Sequence, residues 1–163
     1  MTEKSLIHWD LRFSQMAKLV STWSKDPSTK VGSVIVRPNK TVASIGFNGF
    51  PRGVPDNPEH YENRTMKLAI TKHAEENAIL FAREELEGYV LYVYPLPPCT
   101  HCAGDIIQRG ISRVVAVVPS KFKHRLTDPM YCFDLSLRMF EQAGVQVDIV
   151  HEEVDLCSLE FKE

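Results

Sequence analysis

Two cysteines three positions apart, Cys99 and Cys102 in "PPCTHC", are the residues of this chain whose spacing most suggests chemistry. Pro98 suits the entry of a helix, which puts Cys99 in the first turn and Cys102 on the same face. First-turn amides and the helix dipole favour thiolate over thiol, and thiolates bind zinc well. By itself the pair fits a redox couple, half of a structural zinc site, or two ligands of a catalytic metal. A thioredoxin-like couple would follow the first strand of its domain, and this one comes after a third. A structural zinc site needs four protein ligands, and neither Cys132 nor Cys157 has a partner at ligand spacing.

A third ligand has to come from elsewhere. His-x-Glu is the natural candidate and occurs three times, as His60/Glu62, His73/Glu75 and His151/Glu153. The first lies in a polar stretch and the last opens an acidic tail; only His73 opens a periodic run. Positions two apart in an ideal helix differ by about 200°, so His73 and Glu75 face one site only at the helix start. His-Ala-Glu at one helix N-terminus and Pro-Cys-x-x-Cys at the next would then converge at the sheet end where α/β folds place ligands. Three ligands leave the fourth tetrahedral position for water, the catalytic arrangement. Glu75, close but not a ligand, would move protons.

These residues need a scaffold. Residues 6–24 carry Trp9, Phe13, Met16, Ala17, Val20 and Trp23 at helical spacing, which predicts a helix with one buried face. "VGSVIV" (31–36) and "TVASIGF" (41–47) flank the polar turn "RPNK" and predict a hairpin. Residues 48–71, with Pro51, Gly53, Pro55 and Pro58, read as one long polar connection. "KHAEENAILFAREELE" reads as a helix up to Gly88, followed by the strand "YVLYVY". The helices "CAGDIIQR" and "FDLSLRMFEQA" stop at Gly110 and Gly144, ahead of the strands "SRVVAVV" and "VQVDIV". Strands alternating with helices imply a parallel section. With the hairpin, the prediction is an α/β fold: a five-stranded mixed sheet with helices on both faces.

The 163 residues suit one domain over 1–163, with a core of about 6–150 and an acidic tail over 151–163. A composition 44% hydrophobic and 25% charged argues against disorder and against a membrane span. "MTEKSLIHWDL" lacks a signal-peptide core, so the expectation is a cytoplasmic chain with reduced thiols. A net charge of −2 offers no broad attraction to nucleic acid.

The His-x-Glu and Pro-Cys-x-x-Cys combination resembles the signature of zinc nucleobase deaminases. "WSKDPSTKVGSVIV", "GFNGFPRG", "HAEENAILFA", "PPCTHCAGDIIQRGI" and "FEQAGVQV", in family order over roughly residues 9–150, are similar to the deoxycytidylate deaminases of the cytidine deaminase superfamily. The resemblance implies a three-layer α/β/α cytidine deaminase-like fold and hydrolysis of dCMP to dUMP and ammonia, feeding thymidylate synthesis. It implies that His73, Cys99 and Cys102 hold one catalytic Zn2+ per chain, since no cysteine precedes Cys99 for the second, structural zinc of some relatives. Glu75 would take a proton from the zinc-bound water, pass it to N3 of cytosine as C4 is attacked, and next protonate the leaving amine. Asn48 in "GFNG" would bond the sugar, and the Ala74 amide the base carbonyl. Lys25, Ser28, Thr29 and Lys30 in "SKDPSTK", with Arg52 behind them, are candidates for the 5′-phosphate; solvated surface charge is the plainer reading of each. Phe122 is a candidate cover for the base, against plain packing on its own domain. The family also implies a homo-oligomer, hexamer or dimer, with dCTP and dTTP as effectors.

Glu76 reads as a solvent-facing helix residue, Arg83, Glu84 and Glu85 as a charged helix end, and Cys132 and Cys157 as packing residues. Two rival functions remain. A tRNA- or DNA-editing deaminase would need a basic groove and a single-stranded or flipped base. A non-enzymatic, zinc-stabilised nucleotide-binding module would be indifferent to Glu75→Ala.

Overall fold

Alternate residues of the central strands are apolar on both sides, and each side is covered by helices. The computed structural model describes residues 8–151, 153 and 154. The first residues of the expected N-terminal helix, most of the acidic tail and Cys157 lie outside the described residues. In chain order the elements are α1 (His8–Ser21), β1 (Gly32–Val36), β2 (Val42–Phe47), α2 (Pro58–Glu62), α3 (Arg64–Ile70), α4 (Ala74–Phe81), β3 (Val90–Tyr94), α5 (Thr100–Gln108), β4 (Arg113–Val117), a 3-10 segment (Ser120–Thr127), α6 (Phe133–Ala143) and β5 (Gln146–Val150). The sheet order is β2-β1-β3-β4-β5. β1 is antiparallel to β2 and β3, while β3, β4 and β5 are parallel. This is the mixed five-stranded sheet that the hairpin and the alternating second half predict.

Val34, Val36, Tyr92, Val115 and Val117 point to one face, where Phe13, Ala17 and Val20 of α1 cover them. Ile35, Leu91, Val93, Val114 and Ala116 point to the other, under Ala78, Ala103, Ile106 and Phe140 of α4, α5 and α6. Asp10 of α1, itself buried, accepts hydrogen bonds from Tyr92 (2.7 Å) and from two Arg113 nitrogens (2.9 and 2.7 Å). Arg113 also donates to Asp148 at 2.8 Å, so one polar cluster ties α1 to three strands.

Two helices lie unusually close to the sheet. A Cβ on Gly32 would stand 2.1 Å from the Ala17 carbonyl oxygen of α1, and one on Gly46 would stand 2.2 Å from the Ala74 oxygen of α4. Glycine is what lets these backbones meet.

Three expectations change. Residues 58–70 are not loop: Pro58 opens α2, and the Asn63 side chain caps α3 by accepting from the Met66 amide at 3.0 Å. The helix from Ala74 ends at Phe81 instead of running to Glu87. Leu86 is drawn into the core, Glu84 accepts from Arg37 and Tyr89, and its carbonyl accepts from Arg109 at 2.8 Å. These contacts outweigh the helix preference of "AREELE". Gly88 accordingly serves a turn, with φ +78°, rather than a helix end. Cys132 is exposed rather than packed, at a left-handed φ of 48° before α6. Among the described residues, no helix is long and apolar enough to cross a membrane.

Candidate active site

His73 occupies the N-cap of α4 and Cys99 the N-cap of α5, one position earlier than the first turn expected of it. Reciprocal backbone hydrogen bonds between Gly49 and Lys72 (3.1 and 2.8 Å) tie the entry of α4 to the chain leaving β2. Glu76 does not face solvent. Its carboxylate accepts from the His73 amide at 2.8 Å and from Lys72 Nζ at 3.2 Å, an N3 carboxylate reaching back to the cap.

His73 Nδ1 lies 3.5 Å from Cys99 Sγ and 3.3 Å from Cys102 Sγ. Among the described residues these three form the group able to hold a metal, with all ligand atoms within 4.8 Å of one another. Metal–ligand bonds of about 2.0–2.3 Å arranged tetrahedrally give edges near 3.5 Å, so the donor set fits zinc in spacing and in kind. The three groups share their protons, with Cys99 the thiolate, and metal binding would displace the protons that His73 and Cys102 hold. The Cys102 hydrogen bond, with help from His73, lowers the Cys99 thiol to about 4, and Cys99 in turn raises His73 to about 9. Cys102, beside that thiolate and buried, is pushed up.

Glu75, in the first turn of α4, is 4% exposed and stands outside the ligand group. Burial raises its carboxyl to about 7, against the downward pull of His73. A buried carboxyl able to hold or release a proton near neutrality is suited to general acid–base work.

These side chains open onto a cavity of about 340 Å³. Of the residues singled out in the sequence, Asn48, Ala74, Glu75, His73, Cys99, Ser28 and Thr29 line it. Ala74 contributes the first amide of α4, which has no acceptor within the helix. Asn48 is 6% exposed and already engaged: Nδ2 donates to the Thr29 carbonyl at 2.9 Å and Oδ1 accepts from the Val31 amide at 2.8 Å. Lys25, Lys30, Arg52 and Phe122 are not on the wall. Lys25 is exposed and paired with Asp56 at 2.6 Å, Lys30 is exposed, and Arg52 lies over the Phe81 ring at 5.6 Å. Phe122 packs against the core on the α4–α6 face.

The cationic wall is made instead by Arg64, Lys67 and Arg125, and the aromatic wall by Tyr131 and Phe133, stacked at 5.3 Å. Reading residues 48–71 as loop hid Arg64 and Lys67. Asn57-Pro58 and Asn63 were the available signals for the two short helices.

A mixed sheet carrying His-x-Glu at one helix start and Cys-x-x-Cys at the next, over a cavity, defines a deaminase domain with a candidate metal site. Residues 7–118 match the family model "Cytidine and deoxycytidylate deaminase zinc-binding region", and the chain belongs to this family of deaminases. It is 50% identical over 139 residues to an uncharacterized deaminase of Aliivibrio fischeri, covering 85% of this chain and 91% of that one. It is 35% identical over 154 residues to a probable deoxycytidylate deaminase of Drosophila melanogaster, covering 88% and 72%. Among solved structures, the dCMP deaminase of cyanophage S-TIM5 in apo form is similar at TM-score 0.68 and 25% identity, over 90% of this chain and 100% of that chain.

Proposed function

We propose that this chain hydrolyses dCMP to dUMP and ammonia, a source of the precursor for thymidylate synthesis, with His73, Cys99 and Cys102 holding one zinc ion. The observation that carries the reading is Glu75: a buried carboxyl beside the His/Cys/Cys group but not part of it, on the wall of a cavity of nucleotide size. When bound there, zinc supplies a Lewis acid that acidifies water. Glu75 accepts the proton of the attacking water and delivers a proton to N3 of the cytosine. It then takes the proton of the new C4 hydroxyl and gives it to the 4-amino nitrogen, so that the C4–N bond breaks, ammonia leaves and a C4=O carbonyl remains. The Ala74 amide donates to the base carbonyl, and Tyr131 and Phe133 offer it an apolar wall. Arg64 and Arg125 are the cations within reach of a 5′-phosphate, with Ser28 and Thr29 between them and the sugar end.

Relatives named deoxycytidylate deaminase and a phage dCMP deaminase solved with dCMP and dUMP support this choice of substrate. An ultraviolet assay across dCMP, CMP, deoxycytidine and dCTP tests it. The expected result is a kcat/KM for dCMP far above that for deoxycytidine, and equal values would refute the phosphate assignment. Repeating the assay with dCTP and dTTP, and sizing the protein in solution, tests the effectors and the homo-oligomer that the family implies.

A further inference from the structure

The stretch "SKDPSTK" spends its polar groups on itself and on α3. Asp26 Oδ1 accepts three hydrogen bonds: from the Ser28 amide (2.7 Å), the Thr29 amide (3.0 Å) and Lys67 Nζ (2.8 Å). Lys67 Nζ also donates to Ser28 Oγ at 3.0 Å. The Asp26 and Lys67 side chains are each 8% exposed, and both residues line the cavity. A lysine so closely compensated by a carboxylate adds little net charge for an anion. Burying such a pair is also seldom a stability gain over apolar packing. Its position offers another role. Lys67 comes from α3 and Asp26 from the segment before β1, so the pair joins two elements that form one wall of the cavity. What it holds in place is the backbone of Ser28 and Thr29, and Thr29 Oγ1 in turn accepts from Arg125 Nη1 at 3.1 Å.

We propose that Lys67 is a positioning residue: paired with Asp26, it holds the Ser28–Thr29 wall where the nucleotide's sugar-phosphate end is received, and with it one of the contacts of the Arg125 guanidinium, which also donates to Tyr131 at 3.0 Å and pairs with Asp128 at 3.8 Å. This rests on the cavity being the nucleotide site. Lys67 acts through the segment it anchors, whereas Arg64 and Arg125, on the same cavity wall, are the candidates for direct contact with the phosphate.

The test is the pair Asp26→Asn/Lys67→Met. Lys67→Met alone strands a buried carboxylate and invites misfolding; the double substitution removes both charges together. Asp26→Asn keeps an Oδ1 able to accept the Ser28 and Thr29 amides, so the local turn survives and only the link to α3 is cut. Zinc content and thermal midpoint should stay near the wild type. Hydrogen exchange over 26–30 should speed up on the order of tenfold or more, and KM for dCMP should rise by a similar factor with kcat nearly unchanged. Wild-type exchange together with wild-type KM would overturn the proposal, whatever the thermal midpoint. So would faster exchange without a change in KM. A wild-type chain that leaves dCMP untouched sinks the proposed substrate, and the anchoring by Lys67 is then decided by exchange over 26–30 alone.

Discussion

Gly46→Ala should damage the metal site from the back of the helix that carries it. A Cβ at Gly46 would stand 2.2 Å from the Ala74 carbonyl oxygen, 2.4 Å from the Ala78 amide nitrogen and 3.1 Å from the Ala78 Cα. All three are backbone atoms of α4, so no side chain can swing aside. Restoring ordinary contact requires α4 and β2 to separate by about 1 Å. The first turn of α4 holds His73 3.3 and 3.5 Å from the two sulfurs, and these ride on α5. Metal sites tolerate deviations of about 0.2 Å per ligand, so a 1 Å shift of one ligand is large. Overpacking costs about 1–3 kcal/mol of stability, and a misplacement of this size typically costs about a hundredfold in rate.

The expected outcome is a modest fall in thermal midpoint, zinc affinity weakened at least tenfold by competition with a chromophoric chelator, and dCMP turnover down about a hundredfold even with zinc in excess. Gly49→Ala is the control. It lies three residues on, at the same end of the sheet, with nothing within 4 Å of its would-be Cβ, and should match the wild type in all three. If Gly46→Ala lowered the midpoint but kept zinc affinity and rate within twofold, the edge strand β2 would be the part that yields. The claim that β2 sets the position of His73 would then be wrong.

Glu75→Gln should lower kcat by about 10²–10⁴ while zinc content and thermal midpoint hold; metal loss measured by atomic absorption would instead make Glu75 a ligand. Burial pushes the Asp10 carboxyl up, but hydrogen bonds from Arg113 and Tyr92 outweigh it and hold its pKa below the usual carboxylate value. A carboxylate depressed in the folded state stabilises above its unfolded pKa, and that contribution fades as pH falls through the folded value. Asp10→Asn should therefore be less stable than the wild type near pH 7, with the gap in chemical denaturation closing below about pH 4. Gly104→Ala, inside α5 with open space at its Cβ, should raise stability by about 0.5–1 kcal/mol, read as a higher denaturation midpoint at unchanged activity.

The grouping of the candidate site residues was more legible in the sequence than their surroundings. His73, Glu75, Cys99 and Cys102 could be grouped because helix geometry restricts where a His-x-Glu pair can converge, and because prolines mark the start of the second helix. The sheet was legible because β-branched runs alternated with glycine-terminated helices. What failed depended on tertiary contacts. "AREELE" has every local reason to continue α4, yet Leu86 is worth more in the core than in another helical turn. The basic residues of "SKDPSTK" and "FPRG" were candidates for the phosphate, with solvated surface charge the plainer reading, because charge near a motif is all that a sequence displays. In the fold Lys25 and Arg52 find partners at the surface, while Arg64 and Lys67 arrive from a segment whose prolines disguised two short helices. Glu76 is the subtler case: polarity suggested solvent, but position N3 of a helix is where a carboxylate reaches back to the cap.

The hairpin is what makes one ion reachable from two helices. β2 and β3 are both antiparallel to β1, so they run in the same direction although β1 lies between them. The chain therefore leaves both at one end of the sheet, and α4 and α5 both begin there. Adjacent strands are about 4.8 Å apart, so β2 and β3 are separated by about 10 Å, close to the 8–10 Å at which two helices pack. Helices entered from these two strands can thus lie side by side with their N-termini level. The level N-termini bring two positive dipole ends to one point, and that potential favours anionic sulfur over thiol before any metal binds. The lowered Cys99 thiol is in keeping with it, although its largest single cause is the hydrogen bond from Cys102.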